Sequence, residues 1–251
     1  MENRLYSSVF LKACLNGGRT PAEHPALPIT PAALAADARK AVHAGADALH
    51  VHPRDTTGLE SLAPGAVAAA LAAVREACPG VPVGISTGAW IEPDITRRVA
   101  LIEAWTVLPD FASVNLSEGG VAQVLEVLAK RGVGLEAGIW TPDDARRLLE
   151  LTGVPWLRLL LEPRETGAAK AHAVVDGVEG VLGDVLPDVP RLLHGTGEAV
   201  WAMLERAARS RYGSRVGFED TLYLPTGEPA PDNAALVTAA RALFLGSPAT
   251  C

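Results

Sequence analysis

Ala48-Leu49-His50-Val51-His52-Pro53-Arg54-Asp55 is a short apolar run that ends abruptly in polar chemistry. Strands buried on both faces read as almost continuous apolar runs, whereas half-exposed strands alternate. The same signature recurs along the chain at 9–16, 82–88, 111–116, 132–139, 156–162, 191–196 and 213–220. Between these runs lie segments such as 31–44, with apolar residues at helical spacing. Thr30-Pro31 supplies a cap followed by a good first helical residue, Asp94 caps a helix starting at Ile95, and Thr141-Pro142-Asp143-Asp144 repeats the logic. Gly45 and Gly153 read as helix stops. The stretch 167–190, rich in Gly, Val and Asp, reads as a short helix plus loop.

Eight strand–helix units in order predict an α/β fold, either a closed (β/α)8 TIM barrel or a doubly wound sheet. The polar residues decide for the barrel. Asn16, His52, Ser86, Asn115, Glu136, Glu162, His194 and Glu219-Asp220 fall toward the C-terminal ends of the strands, the active-site face of a barrel. A doubly wound sheet would concentrate such residues at one switch point. A length of 251 residues matches one barrel, so residues 1–251 are expected to form a single domain, with a mobile tail over 247–251.

Composition narrows the function. The chain is 49% hydrophobic, 20% charged and carries a net charge of −7. Without a basic run, nucleic acid is not expected as a partner. No apolar run reaches the roughly 18 residues of a membrane span. The N-terminus lacks the pattern of a signal peptide. Cys14, Cys78 and Cys251 match no disulfide or zinc-knuckle spacing, and they read as reduced thiols of a cytoplasmic protein.

Residues i and i+2 of a strand share a face, so His50 and His52 project together, about 6–7 Å apart along the strand. That suits two ligands of one metal, and zinc needs a third ligand plus an open position for catalysis. The alternative is a hydrogen-bonded core pair. Glu219 ends the eighth run, and only the first strand of a barrel separates strands eight and two. It is either the third ligand or a salt-bridged carboxylate. Asp220 follows at once and offers a proton acceptor. Arg215 lies about 13 Å lower than Glu219 if the strand continues, and needs Asp220 or Glu136 as partner. Ser86-Thr87-Gly88 offers hydroxyls and N–H groups for a carboxylate or oxyanion, or makes a plain turn. Asn16 and Asn115 offer hydrogen bonds to substrate, and Glu136 is a carboxylate inside an apolar strand that needs a cation. His194-Gly195-Thr196-Gly197 reads first as a turn.

These motifs resemble one family. H-x-H-x-R-D at His50–Asp55 paired with R-V-G-x-E-D at Arg215–Asp220 is specific. Leu27-Pro28-Ile29-Thr30-Pro31, Ser86-Thr87-Gly88, Ser113-Val114-Asn115 and Asn233 follow in matching order. The chain is similar to the beta-keto acid cleavage enzymes, the family typified by 3-keto-5-aminohexanoate cleavage enzyme. The resemblance implies a barrel that holds zinc, or another divalent metal, through His50, His52 and Glu219. It implies a β-keto acid and acetyl-CoA as substrates, and acetoacetate and a new acyl-CoA as products. Asp220, steered by Arg215, would take a proton from the carbon between keto group and carboxylate. Ser86 and Ser113 match positions that contact substrate in the family; the residues themselves add Gly88, Asn115, Asn16 and Glu136 as expected substrate contacts. The assembly would be a homo-oligomer, a tetramer by family analogy. One departure stands out: after the first strand this chain reads Asn16-Gly17-Gly18-Arg19, where the family type has a glutamate that serves an amino-bearing substrate. Arg19 would favour an anionic or neutral side group.

Two other classes fit the residues. A metal-dependent hydrolase or lyase acting on a small carboxylic acid also uses H-x-H on a barrel strand, but usually with further late-strand histidines. A non-catalytic metal- or metabolite-binding barrel is the third. Dependence on acetyl-CoA separates them.

Overall fold

A computed structural model describes residues 9–246; the proposed mobile tail, 247–251, with Cys251, lies outside them. Eight parallel strands, β1 (Leu11–Cys14), β2 (Ala48–Val51), β3 (Val83–Ser86), β4 (Phe111–Asn115), β5 (Gly134–Ile139), β6 (Trp156–Leu161), β7 (Arg191–Leu193) and β8 (Ser214–Val216), form one sheet in the order β7-β6-β5-β4-β3-β2-β1-β8. The bridge between Leu192 and Gly213 brings β7 against β8 and closes the ring. Helices α1 (Pro31–His43), α2 (Pro64–Ala77), α3 (Ile95–Glu103), α4 (Val121–Lys130), α5 (Pro142–Glu150), α6 (Ala168–Leu182), α7 (Val200–Ser210) and α8 (Asn233–Gly246) follow the strands in turn. This is the expected (β/α)8 barrel.

The predicted caps are present. Thr30 accepts from Ala33 N, Asp94 from Thr96 N and Arg97 N, and Thr141 and Asp144 make a reciprocal capping box. Two expectations are corrected. The segment after Gly167 holds a 15-residue helix, not a short one. Its apolar face (Ala171, Val175, Val178, Leu182) is buried and offsets the weak propensity of Gly177 and Gly180. The eighth strand stops at Val216 instead of running to Asp220. At Gly217 a Cβ would stand 1.9 Å from the Cys14 carbonyl oxygen, so the backbone presses on β1 and turns there. The 13 Å separation of Arg215 and Glu219 therefore does not arise, and the two side chains meet at 2.7 Å.

The barrel floor is charged. Lys12 and Glu136 are fully buried, with Nζ 2.6 Å from Oε2, and Arg158 Nε stands 3.3 Å from Glu136 Oε1. Lys12 and Arg158 lie 5.2 and 4.9 Å from the Phe111 ring, and Arg158 also covers Phe10 at 4.4 Å. Gly84 leaves room for that ring, which a Cβ would strike at 2.0 Å. Of the cations expected for Glu136, Arg215 or the metal region, neither serves it; Lys12 and Arg158 do. Burial raises the Glu136 carboxyl, but the two cations hold it at about 2. Its stabilising contribution is therefore present above the ordinary value of 4.5 and is lost as pH falls toward 2. Lys12→Met is expected to cost about 3–5 kcal/mol by leaving Glu136 short of charge. Urea denaturation checks this; removing the exposed Lys130–Glu126 pair should leave the midpoint nearly unchanged in the same assay.

Candidate metal and active site

The mouth of the barrel opens on a cavity of about 710 Å3 lined by His50, His52, Ser86, Ser113, Glu219 and Asp220 among others. His50 ends near the tip of β2, and His52 follows the strand. Asn16 fixes His52 by bonding both its N–H and its carbonyl, each at 2.9 Å. Arg54 of the same motif ties down the loop after β1 through the carbonyls of Gly17 and Arg19. Asp55 accepts from Thr57 and Leu59 and folds the short hairpin that carries Glu60. On the opposite flank, Asn233 accepts from Phe218 N at 2.6 Å and donates to the Leu15 carbonyl at 2.8 Å and to Asp37 at 2.7 Å. Asn233 thereby fixes the turn bearing Glu219 and Asp220. Its partner Asp37 is pushed up to about 6 by burial, with the Asn233 bond opposing.

Three donor atoms converge. His50 Nε2 and His52 Nε2 are 3.2 Å apart, and Glu219 Oε2 stands 3.8 and 3.5 Å from them. Ligand atoms about 2.0–2.1 Å from a tetrahedral zinc sit about 3.3 Å from one another, which this triangle approximates. Glu219 Oε2 is buried without a hydrogen-bond partner. The residues therefore fit a divalent cation, and the three could hold one metal ion. Burial, with His52 and Lys12 nearby, pushes His50 down to about 3, leaving it neutral and ready to ligate. Burial works against charge on His52 as well, but Glu219 and Glu60 outweigh it and raise the group to about 9. Glu60, which sequence reading did not single out, bonds His52 Nδ1 directly. A carboxylate on the outer nitrogen fixes the tautomer that turns Nε2 inward. The indole of Trp90 donates to both oxygens of Glu60 at 3.2 Å and stacks on His52 at 6.3 Å.

Arg215 is the hub of the second cluster. Its Nη2 lies 2.7 Å from both Glu219 Oε1 and Asp220 Oδ1, so its partner is Asp220 and not Glu136. The Arg215 guanidinium, with both histidines, outweighs burial and holds Glu219 well below the carboxylate range. Asp220 has its Oδ1 held by Arg215, while its Oδ2 is buried and unpartnered. His194, read first as part of a turn, is fully buried, with Nδ1 3.5 Å from Asp220 Oδ1 and Nε2 3.5 Å from Glu162 Oε2.

The remaining predicted contacts divide. Ser86 and Ser113 line the cavity on neighbouring strands, paired in register. Ser86 Oγ accepts from Gly88 N at 3.3 Å, leaving its hydroxyl to donate; Ser113 Oγ donates to Glu136 at 2.9 Å, leaving it to accept. Asn115 also lines the cavity, its amide donating to Glu118 at 2.8 Å. Asn16, Gly88 and Glu136 do not reach the lining. Asn16 clamps His52, Glu136 orients Ser113 from below, and Gly88 seats the Trp90 ring, which a Cβ would strike at 2.2 Å. Arg19 lines the wall but is engaged by the Phe218 carbonyl and by Glu23. Cys14 and Cys78 are free and buried, and burial pushes the Cys14 thiol up.

Fold and site together define a (β/α)8 barrel with a His-His-Glu cation site beside a buried carboxylate–arginine pair. The chain belongs to the beta-keto acid cleavage enzyme family, whose model matches residues 8–246. The resemblance carried by the two motifs is thus borne out. Curated relatives include 3-keto-5-aminohexanoate cleavage enzymes. That of Acetoanaerobium sticklandii is 23% identical over 91% of this chain and 89% of its own length. That of Fusobacterium nucleatum is 23% identical over 93% and 90%. Among solved structures, ObcA in a ternary complex with a C4-CoA adduct and oxalate shares the fold, with a TM-score of 0.67 and 19% identity over 88% of this chain. The chain spans 64% of the length of that ObcA chain. Among the described residues no helix is long and apolar enough to cross a membrane.

Proposed function

We propose that this chain cleaves a β-keto acid against acetyl-CoA, giving acetoacetate and a new acyl-CoA, with zinc as the metal held by His50, His52 and Glu219. The observation that carries the reading is the pairing of three convergent donors with a carboxylate, Asp220, whose Oδ2 is buried and unpartnered. When bound, the metal supplies a Lewis acid for the keto oxygen and carboxylate, which acidifies the carbon between them. Asp220 Oδ2 takes the proton from that carbon. Arg215 holds the other oxygen of Asp220 and also Glu219, so base and ligand keep a fixed separation. The Ser86 hydroxyl donates to a substrate oxygen, and Ser113 accepts from a substrate hydroxyl or N–H. The carbanion attacks the thioester carbonyl. The expelled CoA thiolate adds to the original keto carbon, the C–C bond breaks to release the new acyl-CoA, and the acetoacetate carbanion recovers the proton from Asp220.

Family membership supports this chemistry at the level of β-keto acid cleavage. The same reading makes residues 1–251 one domain of a cytoplasmic homo-oligomer, a tetramer by analogy with the family, with no nucleic-acid or membrane partner. The test is a panel of β-keto acids with and without acetyl-CoA, on protein of measured metal content. Acetoacetate and acyl-CoA should form together and only when acetyl-CoA is present. Turnover in water alone would replace this reading with a hydrolase or lyase. Bound metal without turnover on any member would leave a binding protein.

A further inference from the structure

The wall facing the metal donors has no part in the cleavage steps. In the sheet order β6 stands four strands from β2, so in a ring of eight the two face each other across the mouth. The β6 wall is thus the side of the cavity opposite His50 and His52. There Glu162, Arg164 and Thr166 meet Trp140 from β5 and Thr196 from β7. The Arg164 guanidinium lies 4.7 Å from the Trp140 ring, and its Nη1 donates to Glu162 Oε1 at 3.1 Å. A cation held on an indole face and by a carboxylate is oriented before any ligand arrives. The rest of the fork is free: among the described residues Nε and Nη2 have no partner, and the side chain is 54% exposed. The Trp140 Nε1 is buried and also lacks a partner. An unpartnered buried N–H calls for an acceptor.

Glu162 does not cancel Arg164 alone, because His194 stands 3.5 Å from its second oxygen. Burial and Arg215 work against charge on His194, but Glu162 and Asp220 prevail and raise the group. The far wall thus sets one carboxylate between two basic side chains. Arg19, the cation expected from sequence to read the side group, is already engaged by Glu23 at 2.9 Å and by a backbone carbonyl.

We propose that Arg164, seated on Trp140, binds a second anionic group of the substrate, so that the preferred keto acid is a β-keto dicarboxylate. This rests on the cleavage reading for the keto end only. A guanidinium also suits phosphate. The distal carboxylate is favoured because Arg164 lines the same cavity as the metal donors, beyond the strand opposite the one that bears His50 and His52. The phosphates of coenzyme A are the other source the test must separate.

The experiment compares three 3-oxo acids of equal length that end in carboxylate, ammonium or methyl, at varied acetyl-CoA. The dicarboxylate should show kcat/KM at least about tenfold above the others, equivalent to one charge-assisted hydrogen bond. Arg164→Met keeps the stem on Trp140. It should raise KM for the dicarboxylate about ten- to a hundredfold, with kcat within about twofold and the methyl acid unaffected. Arg164→Lys should restore part of the loss. Preference of the wild type for the ammonium or methyl acid overturns the proposal. So does an Arg164→Met effect confined to the KM for acetyl-CoA, which would assign the residue to phosphate. Calorimetry of adipate binding to the zinc-loaded protein gives a readout without turnover. Adipate bound by the wild type and lost in Arg164→Met supports the clamp even if no keto acid is cleaved, in which case the cleavage reading alone fails. Adipate that does not bind the wild type overturns the clamp.

Discussion

Asp220→Asn is expected to keep its metal and to lose turnover about a hundred- to ten-thousandfold, the range for removing a positioned general base. Asparagine preserves the shape and still offers Oδ1 to Arg215, which also retains Glu219 at 2.7 Å. Glu219 turns its other oxygen, Oε2, toward His50 and His52, so metal content should stay that of the wild type. What disappears is the basicity of the unpartnered oxygen. Metal analysis beside the acetoacetate assay reads both quantities on one sample, and thermal melting confirms the fold. A variant that stayed fully active would remove Asp220 from the proton transfer and leave its contact with Arg215 a structural ion pair.

The second large effect is loss of metal and activity together in His50→Ala. Two donors 3.5 Å apart, His52 and Glu219, then remain. Glu60→Gln sets the scale. It leaves all three donors and removes only the carboxylate that turns His52 inward. Outer partners of this kind are worth about 10–100-fold in metal affinity. Zinc titration against a competing chelator should place Glu60→Gln in that range and His50→Ala well beyond it. Stoichiometric zinc in purified His50→Ala would show that the metal sits elsewhere.

How much of this was legible in the sequence follows the range of the interactions. Thr30, Asp94 and Thr141 were readable as caps because their partners lie two or three residues away. The strand-end residues were readable because a period of two fixes which side chains share a face. Lys12 was not, although it lies inside the first apolar run. What makes it a partner of Glu136 is barrel closure across 124 residues, and no local pattern records that. The course of the chain after Val216 was misjudged for a related reason. Gly217 looked like strand interior, but its close approach to the Cys14 carbonyl and the Asn233 bond that holds the turn are both long-range. Glu60 carried a weak signal, six residues after Arg54 beyond an Asp-Thr-Thr-Gly turn. Its meaning depends on the hairpin folding back, seen in the Arg54–Glu60 bridge. Helix α6 was underestimated because two glycines lower its propensity, while the burial that offsets them is tertiary.

The charged floor has a consequence for traffic. With Lys12 and Glu136 wholly enclosed and aromatic rings beside them, the described residues fill the floor of the barrel. Under the proposed reaction, cation, keto acid and thioester would share the rim where Trp90 and Arg164 stand half exposed. The anchors for the smallest guests lie deepest, since His50 is 1% exposed.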